Sequence, residues 1–126
     1  MKNPVGYFEI PVNDLDRAIS FYGKVFGYDF ERVIIDGSEM AWFPNDPGAP
    51  GISGALAKGD SYIPITQGTL VYFSTDNIDD TLSKANANGG KTLYPKTSIG
   101  DLGWVAEFED SEGNRIALHS QPILST

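Results

Sequence analysis

His119 is the only histidine in this 126-residue sequence, and Glu9 is a lone carboxylate in the run Tyr7-Phe8-Glu9-Ile10-Pro11-Val12. Side chains alternate between the two faces of a strand, so Glu9 shares a face with Tyr7, away from Phe8 and Ile10. By the same alternation His119 shares a face with Ala117, away from Ile116 and Leu118. An imidazole titrates near neutrality, so it and a carboxylate can form an acid–base pair. They could equally be two ligands of a divalent ion, but two protein ligands rarely suffice, and no metal site is expected. A plainer reading stays open beside these: His119 bonds a loop near the chain end, and Glu9 sits half-solvated at a rim.

Other residues carry weaker chemical signals. Trp42, Phe43, Tyr72 and Trp104 could line an aromatic pocket of the kind that holds small ligands. Aromatics at strand spacing are more often ordinary core. Lys96 lies in the segment Tyr94-Pro95-Lys96-Thr97-Ser98-Ile99-Gly100-Asp101, where exposure to solvent explains it better than anion binding. Arg115 shares a strand face with Ala117 and His119 and could meet a carboxylate ligand, though its place beside a turn favours the surface. Asp79-Asp80 suits the first turn of a helix and needs no further role. No glycine-rich phosphate loop and no serine–histidine–aspartate spacing is present.

Composition narrows the classes. Nine Lys and Arg against 17 Asp and Glu give a net charge of −8. That surplus repels phosphate backbones, and no basic cluster offsets it, so nucleic acid is not an expected partner. Nothing approaches the roughly 18 consecutive apolar residues of a membrane-spanning helix, and the opening MKNPVGYFEIPV lacks the pattern of a signal peptide. Zero cysteines exclude disulfides and thiolate chemistry and suit a reducing cytoplasm.

The elements that must position these groups repeat. Val5 to Val12 reads as a strand, Asn13-Asp14 as a helix cap, and Leu15, Ala18, Ile19, Tyr22, Val25 and Phe26 as a helical stripe stopped by Gly27. Thr69 to Thr75, Asp76-Asn77, the stripe Ile78, Leu82 and Ala85, and Gly89-Gly90 follow the same order. Six matched positions, from Phe8 with Val71 to Gly27 with Gly90, share an offset of 63, half the chain. Three strand-like runs follow each helix: Tyr28–Ile34, Glu39–Phe43 and Ile52–Ala57, then Lys91–Pro95, Trp104–Glu109 and Asn114–His119. The proline-rich run Pro44–Pro50 must be a loop. The expected fold is α+β, one domain over residues 1–126 built from two βαβββ modules, about 1–60 and about 66–122. Cupped mixed sheets carry the helices on their outer faces.

Two stretches in this order resemble the vicinal-oxygen-chelate superfamily, which includes glyoxalase I, bleomycin- and fosfomycin-resistance proteins and extradiol dioxygenases. One is Ile10-Pro11-Val12-Asn13-Asp14-Leu15-Asp16-Arg17-Ala18-Ile19-Ser20-Phe21-Tyr22. The other is the closing Phe108-Glu109-Asp110-Ser111-Glu112-Gly113-Asn114-Arg115-Ile116-Ala117-Leu118. The resemblance implies a cavity enclosed by cupped sheets and, for a short chain, a homodimer. It also implies four metal-ligand positions, which fall at Tyr7, Leu70, Ala117 and, by the repeat offset, Gly54. None of these is a usual zinc, nickel or iron ligand. The expected protein is therefore glyoxalase-like, binding a small molecule without the family's usual metal or any other cofactor. Its cavity would be lined by Tyr7, Glu9, Leu70, Tyr72, Ala117 and His119, with Trp42 and Trp104 as aromatic candidates. The alternative is a lyase, isomerase or dioxygenase-like enzyme using Glu9 and His119. Glyoxalase I activity is disfavoured, because its metal polarises the enediolate oxygens.

Overall fold

In a computed structural model, which describes residues 2–122, the capping signals act where the sequence places them. In each cap pair the second residue does the work. Asp14 accepts a hydrogen bond of 3.0 Å from the Arg17 N–H at the start of helix α1, Leu15–Phe26. Asn77 accepts one of 3.0 Å from the Asp80 N–H at the start of α2, Ile78–Ala87. Each bond satisfies a donor that the first helical turn leaves without an intrahelical partner. Gly27 ends α1 in the left-handed conformation, with φ of 79°.

Eight strands accompany the helices: β1 Phe8–Pro11, β2 Glu31–Ile35, β3 Ser38–Trp42, β4 Gly54–Lys58, β5 Tyr72–Ser74, β6 Lys91–Ser98, β7 Trp104–Glu109 and β8 Arg115–Ser120. They form two four-stranded mixed sheets, ordered β1-β4-β3-β2 and β5-β8-β7-β6. The first and last strands of each module pair in parallel, and the remaining neighbours are antiparallel. The chain divides into two compact units, residues 1–64 and 65–126.

Some boundaries differ from the sequence expectation. The opening strand contracts to Phe8–Pro11 and its counterpart to Tyr72–Ser74. Tyr28 and Phe30 precede β2 and join an aromatic cluster around Phe43, at centroid distances of 5.8 and 4.8 Å. Strand β6 continues through Pro95 to Ser98, with irregular register between Thr92 and Thr97. It is an edge strand, where a residue without an N–H is tolerated.

Alternation divides each sheet into a helix face and a free face. In the first unit Ile10, Ala41 and Leu56 are buried, and α1 packs on β3 and β4. Phe43 sits at the centre of the aromatic packing, 5.4 Å from Phe8 and 5.6 Å edge-on to Tyr22 of α1. Such pairs add about 0.5–1.5 kcal/mol each beyond the area they bury. In the second unit Phe73, Ala106, Phe108, Ile116 and Leu118 are buried on the side where α2 packs. The β7–β8 turn is held by buried Asp110, whose Oδ1 accepts the N–H groups of Glu112 and Asn114 at 2.8 and 2.9 Å.

Register corrects one sequence assignment. Glu9 stands opposite Ala55, and Tyr72 stands opposite Ala117. The opening strands thus repeat at an offset of 63, but the closing strands repeat at 62, the second unit being one residue shorter in between. The counterpart of Ala117 is Ala55 rather than Gly54, and a slip of one residue exchanges the faces of a strand.

Gly54 has another role. A Cβ there would stand 2.0 Å from the Phe8 carbonyl oxygen, so β1 and β4 approach more closely than any side chain at residue 54 allows. Gly54→Ala should lower the unfolding free energy by about 3 kcal/mol, since the overlap is with backbone. Gly6→Ala, where a Cβ meets nothing within 4 Å, should stay within about 0.5 kcal/mol of the parent. Urea unfolding of both variants measures the difference.

Candidate functional site

A cavity of about 1040 Å³ lies on the free face of the first sheet, lined in part by Tyr7, Glu9, Glu31 and Trp42. The register sets Glu9, Ala55, Trp42 and Glu31 in one row across β1, β4, β3 and β2. Ala55, between Glu9 and Trp42 in this row, is fully buried. Asp29, Phe30, Phe43 and Ile52 complete much of the wall. The proline-rich loop is pinned beside it: the Ser53 hydroxyl lies 2.7 Å from the Pro44 carbonyl oxygen, and the Phe43 N–H donates to the Gly54 carbonyl at 3.0 Å.

Glu9 is held by two phenols. The Tyr7 hydroxyl donates to Oε2 at 3.1 Å, and the Tyr62 hydroxyl donates to Oε1 at 2.8 Å. Tyr62 reaches this position because a turn after β4, closed by its N–H bonding the Gly59 carbonyl at 3.0 Å, folds the chain back. Its ring packs on the cluster of Met40, Ala55 and Ala57. Each carboxylate oxygen retains a second acceptor site. Desolvation first, and then the bond to Glu9, push the Tyr7 phenol up to about 12. Tyr62 is raised chiefly by its bond to Glu9. Both cases follow from the same physics, since a phenolate beside a carboxylate is disfavoured.

His119 lies in the second unit and has its own partner. Its Nε2 is 2.6 Å from the Leu102 carbonyl oxygen. A carbonyl only accepts, so Nε2 carries the proton in this contact. A turn over Gly100–Leu102, ended by Gly103 at φ of 104°, delivers that carbonyl. His119, Tyr72, Ser74, Asp101 and Val105 line a second cavity of about 590 Å³.

The remaining candidates divide. Tyr7, Glu9 and Trp42 border the first cavity, and Tyr72 and His119 the second. Leu70 is half-buried ahead of β5, Ala117 is fully buried in β8, and neither lines either of these two cavities. Trp104 has the strand parity of Ala106 and Phe108, which places it on the helix side. There Lys96 Nζ stands 4.6 Å over its ring and 3.1 Å from Asp79 on α2. Arg115 is engaged by Glu107 at 2.5 Å and by the Thr66 carbonyl at 3.2 Å. Tyr62, Asp29 and Glu31 join the site without having stood out in the sequence. Glu31 could have been found from pairing with Trp42, but Tyr62 lies in a segment without periodicity.

The corner positions carry Tyr7, Ala55, Leu70 and Ala117, a set that does not fit a divalent ion. Among the described residues no three His, Asp or Glu side chains form a group able to hold one. Among the same residues no helix is long and apolar enough to cross a membrane.

Comparison with known proteins agrees with this geometry. Residues 5–118 match the family model of the Glyoxalase/Bleomycin resistance protein/Dioxygenase superfamily. A glyoxylase-like domain-containing protein from Didymella fabae is 33% identical over 122 residues, covering 90% of this chain and 91% of the relative. A glyoxalase/bleomycin resistance protein from Albidiferax ferrireducens superposes with a TM-score of 0.69 at 21% identity, over 95% of this chain and 100% of its own. A fosfomycin resistance protein from Listeria monocytogenes, complexed with Mn(II) and a dihydroxypropylphosphonic acid, gives a TM-score of 0.72 at 17% identity, over 98% and 95%.

The two phenols at Glu9 have separable causes, so they should respond differently to Glu9→Gln. Ultraviolet titration should show Tyr62 returning toward its ordinary value and Tyr7 retaining much of its elevation, because desolvation is the larger cause there. A phenol raised on folding stabilises the protein below its unfolded pKa of roughly 10. That contribution is lost as pH climbs from there through about 12, the Tyr7 value. The alkaline limb of a stability profile should therefore be shallower in Glu9→Gln than in the parent.

Proposed function

Because the chain belongs to the Glyoxalase/Bleomycin resistance protein/Dioxygenase superfamily, we propose that it is a glyoxalase-like protein that binds a small molecule on the free face of its first sheet. Binding would proceed without the superfamily's usual metal. The observation that carries this reading is the cavity of about 1040 Å³, floored by a strand row with aromatic and carboxylate side chains. Its volume is that of the larger small-molecule pockets. The side chains at the corner positions support the metal-free part, since Tyr, Ala and Leu offer no divalent-ion site. Glyoxalase I chemistry, which needs polarised enediolate oxygens, is disfavoured for the same reason.

Acid–base catalysis by Glu9 and His119 has less support. Both oxygens of Glu9 already accept phenolic hydrogen bonds, and Nε2 of His119 is committed to a backbone carbonyl. Each group is thereby held by its own unit. The cytoplasm and a homodimer complete the proposal. The absence of cysteine suits the former. The exposure of Ile34, Ile63 and Leu102 supports the latter, since large apolar side chains are commonly covered by a partner.

Titration of aromatic fragments against 15N-labelled protein tests the binding. Amide shifts should concentrate at Gly51, Ser53 and Gly54, with the same affinity in excess EDTA as in excess Mn(II). Affinity that requires added metal would overturn the metal-free reading. Sedimentation equilibrium should give twice the chain mass of 13.7 kDa. A single-chain mass at all concentrations would remove the dimer.

A further inference from the structure

From the charge and aromatic content of the first cavity we infer that its ligand is an organic cation, an ammonium or amidinium group carried on an apolar body. This inference rests on the cavity being the binding site and adds the class of molecule that fills it.

The cavity wall holds three carboxylates, Glu9, Asp29 and Glu31, and no Lys, Arg or His. None of the three forms an ion pair among the described residues. Basic side chains nearby are turned elsewhere: Arg32, one residue from Glu31, pairs with Asp16 of α1, and Lys58 stands 3.8 Å from Glu39. The chain does use cations to balance carboxylates, as Arg115 does for Glu107 on the second sheet, but leaves this row unbalanced.

Position adds a second argument. In the row Glu9, Ala55, Trp42, Glu31 the carboxylates occupy the outer strands and the exposed indole lies between them, beside Glu31. Adjacent strands lie about 4.8 Å apart, so the carboxylate-bearing backbones are separated by roughly 14 Å. A cation in the cavity beside Trp42 and Glu31, which are paired across β3 and β2, meets an indole and a carboxylate at once, the arrangement in which ring quadrupole and charge act together. Glu9 cannot swing away, because Tyr7 and Tyr62 fix its two oxygens. Trp42 is itself 40% exposed, which leaves its ring available to a ligand. An anionic ligand, such as the phosphonate seen with the Listeria fosfomycin resistance protein, would meet like charge here.

Three benzyl compounds separate the possibilities: benzyltrimethylammonium, benzyl alcohol and benzylphosphonate, each titrated against 15N-labelled protein. The ammonium should bind with shifts at Gly51–Gly54 and about tenfold or more tighter than the phosphonate. Glu31→Gln and Trp42→Leu should each weaken it roughly three- to fivefold, and added salt should weaken it further. Glu31→Gln is isosteric on an exposed edge strand, so its folded state is retained. Equal or tighter binding of the phosphonate or the alcohol at the same amides would overturn the cation assignment and leave the cavity as a binding site. Ammonium affinity unchanged in both variants would also overturn it. Shifts from none of the three would overturn the cavity reading itself.

Discussion

Parallel pairing of the first strand with the last closes each four-stranded unit, and it constrains everything built on the sheet. A parallel pair cannot be joined by a tight turn, so the helix and two further strands must intervene between its members. In the first unit this closure brings the Phe8 carbonyl so near residue 54 that only glycine fits. The pairing then fixes register, and register fixes which side chains face the helix. Ile10 and Leu56 go inward together, so Glu9 and Ala55 must go outward together. The site is the residue-by-residue complement of the core.

The two units share this logic and end with different free faces. The row that reads Glu9, Ala55, Trp42, Glu31 in the first corresponds to Tyr72, Ala117, Glu107, Tyr94 in the second. Acid and aromatic positions are exchanged, and the single acid of the second row is neutralised by Arg115. One face keeps uncompensated charge around a central indole. The other has settled its charge internally and holds its histidine against a loop carbonyl. The backbone, whose hydrogen bonds accept many side chains, follows one plan in both units, while the free faces differ because packing constrains them least.

Much of this is legible in the sequence. Caps, helical stripes and strand alternation are local signals, and they place both helices and the faces of Glu9 and His119. Trp104 shows the limit of reading residue type without position. Its aromatic character suggested a pocket, but counting through Ala106 to Phe108 puts it on the helix side, over which Lys96 now lies. The one-residue difference between closing strands was hidden by loops of unequal length, so Gly54 took the place of Ala55. Tyr62 was illegible for a deeper reason. It lies in an aperiodic connection, and what brings it to Glu9 is a tertiary contact with Met40, Ala55 and Ala57, which no local pattern encodes.

The packing of Tyr62 also bears on descent. Its ring now roofs the alanine where the superfamily pattern would seat a chelating group. A larger acidic or imidazole side chain introduced at residue 55 would collide with that roof before it met any ion. Evicting the roof alone would strip Glu9 of a hydrogen bond and uncover apolar sheet. Neither change succeeds without the other, so the present contacts oppose gaining a chelating group here one substitution at a time. The tyrosine works as a pawl against that step.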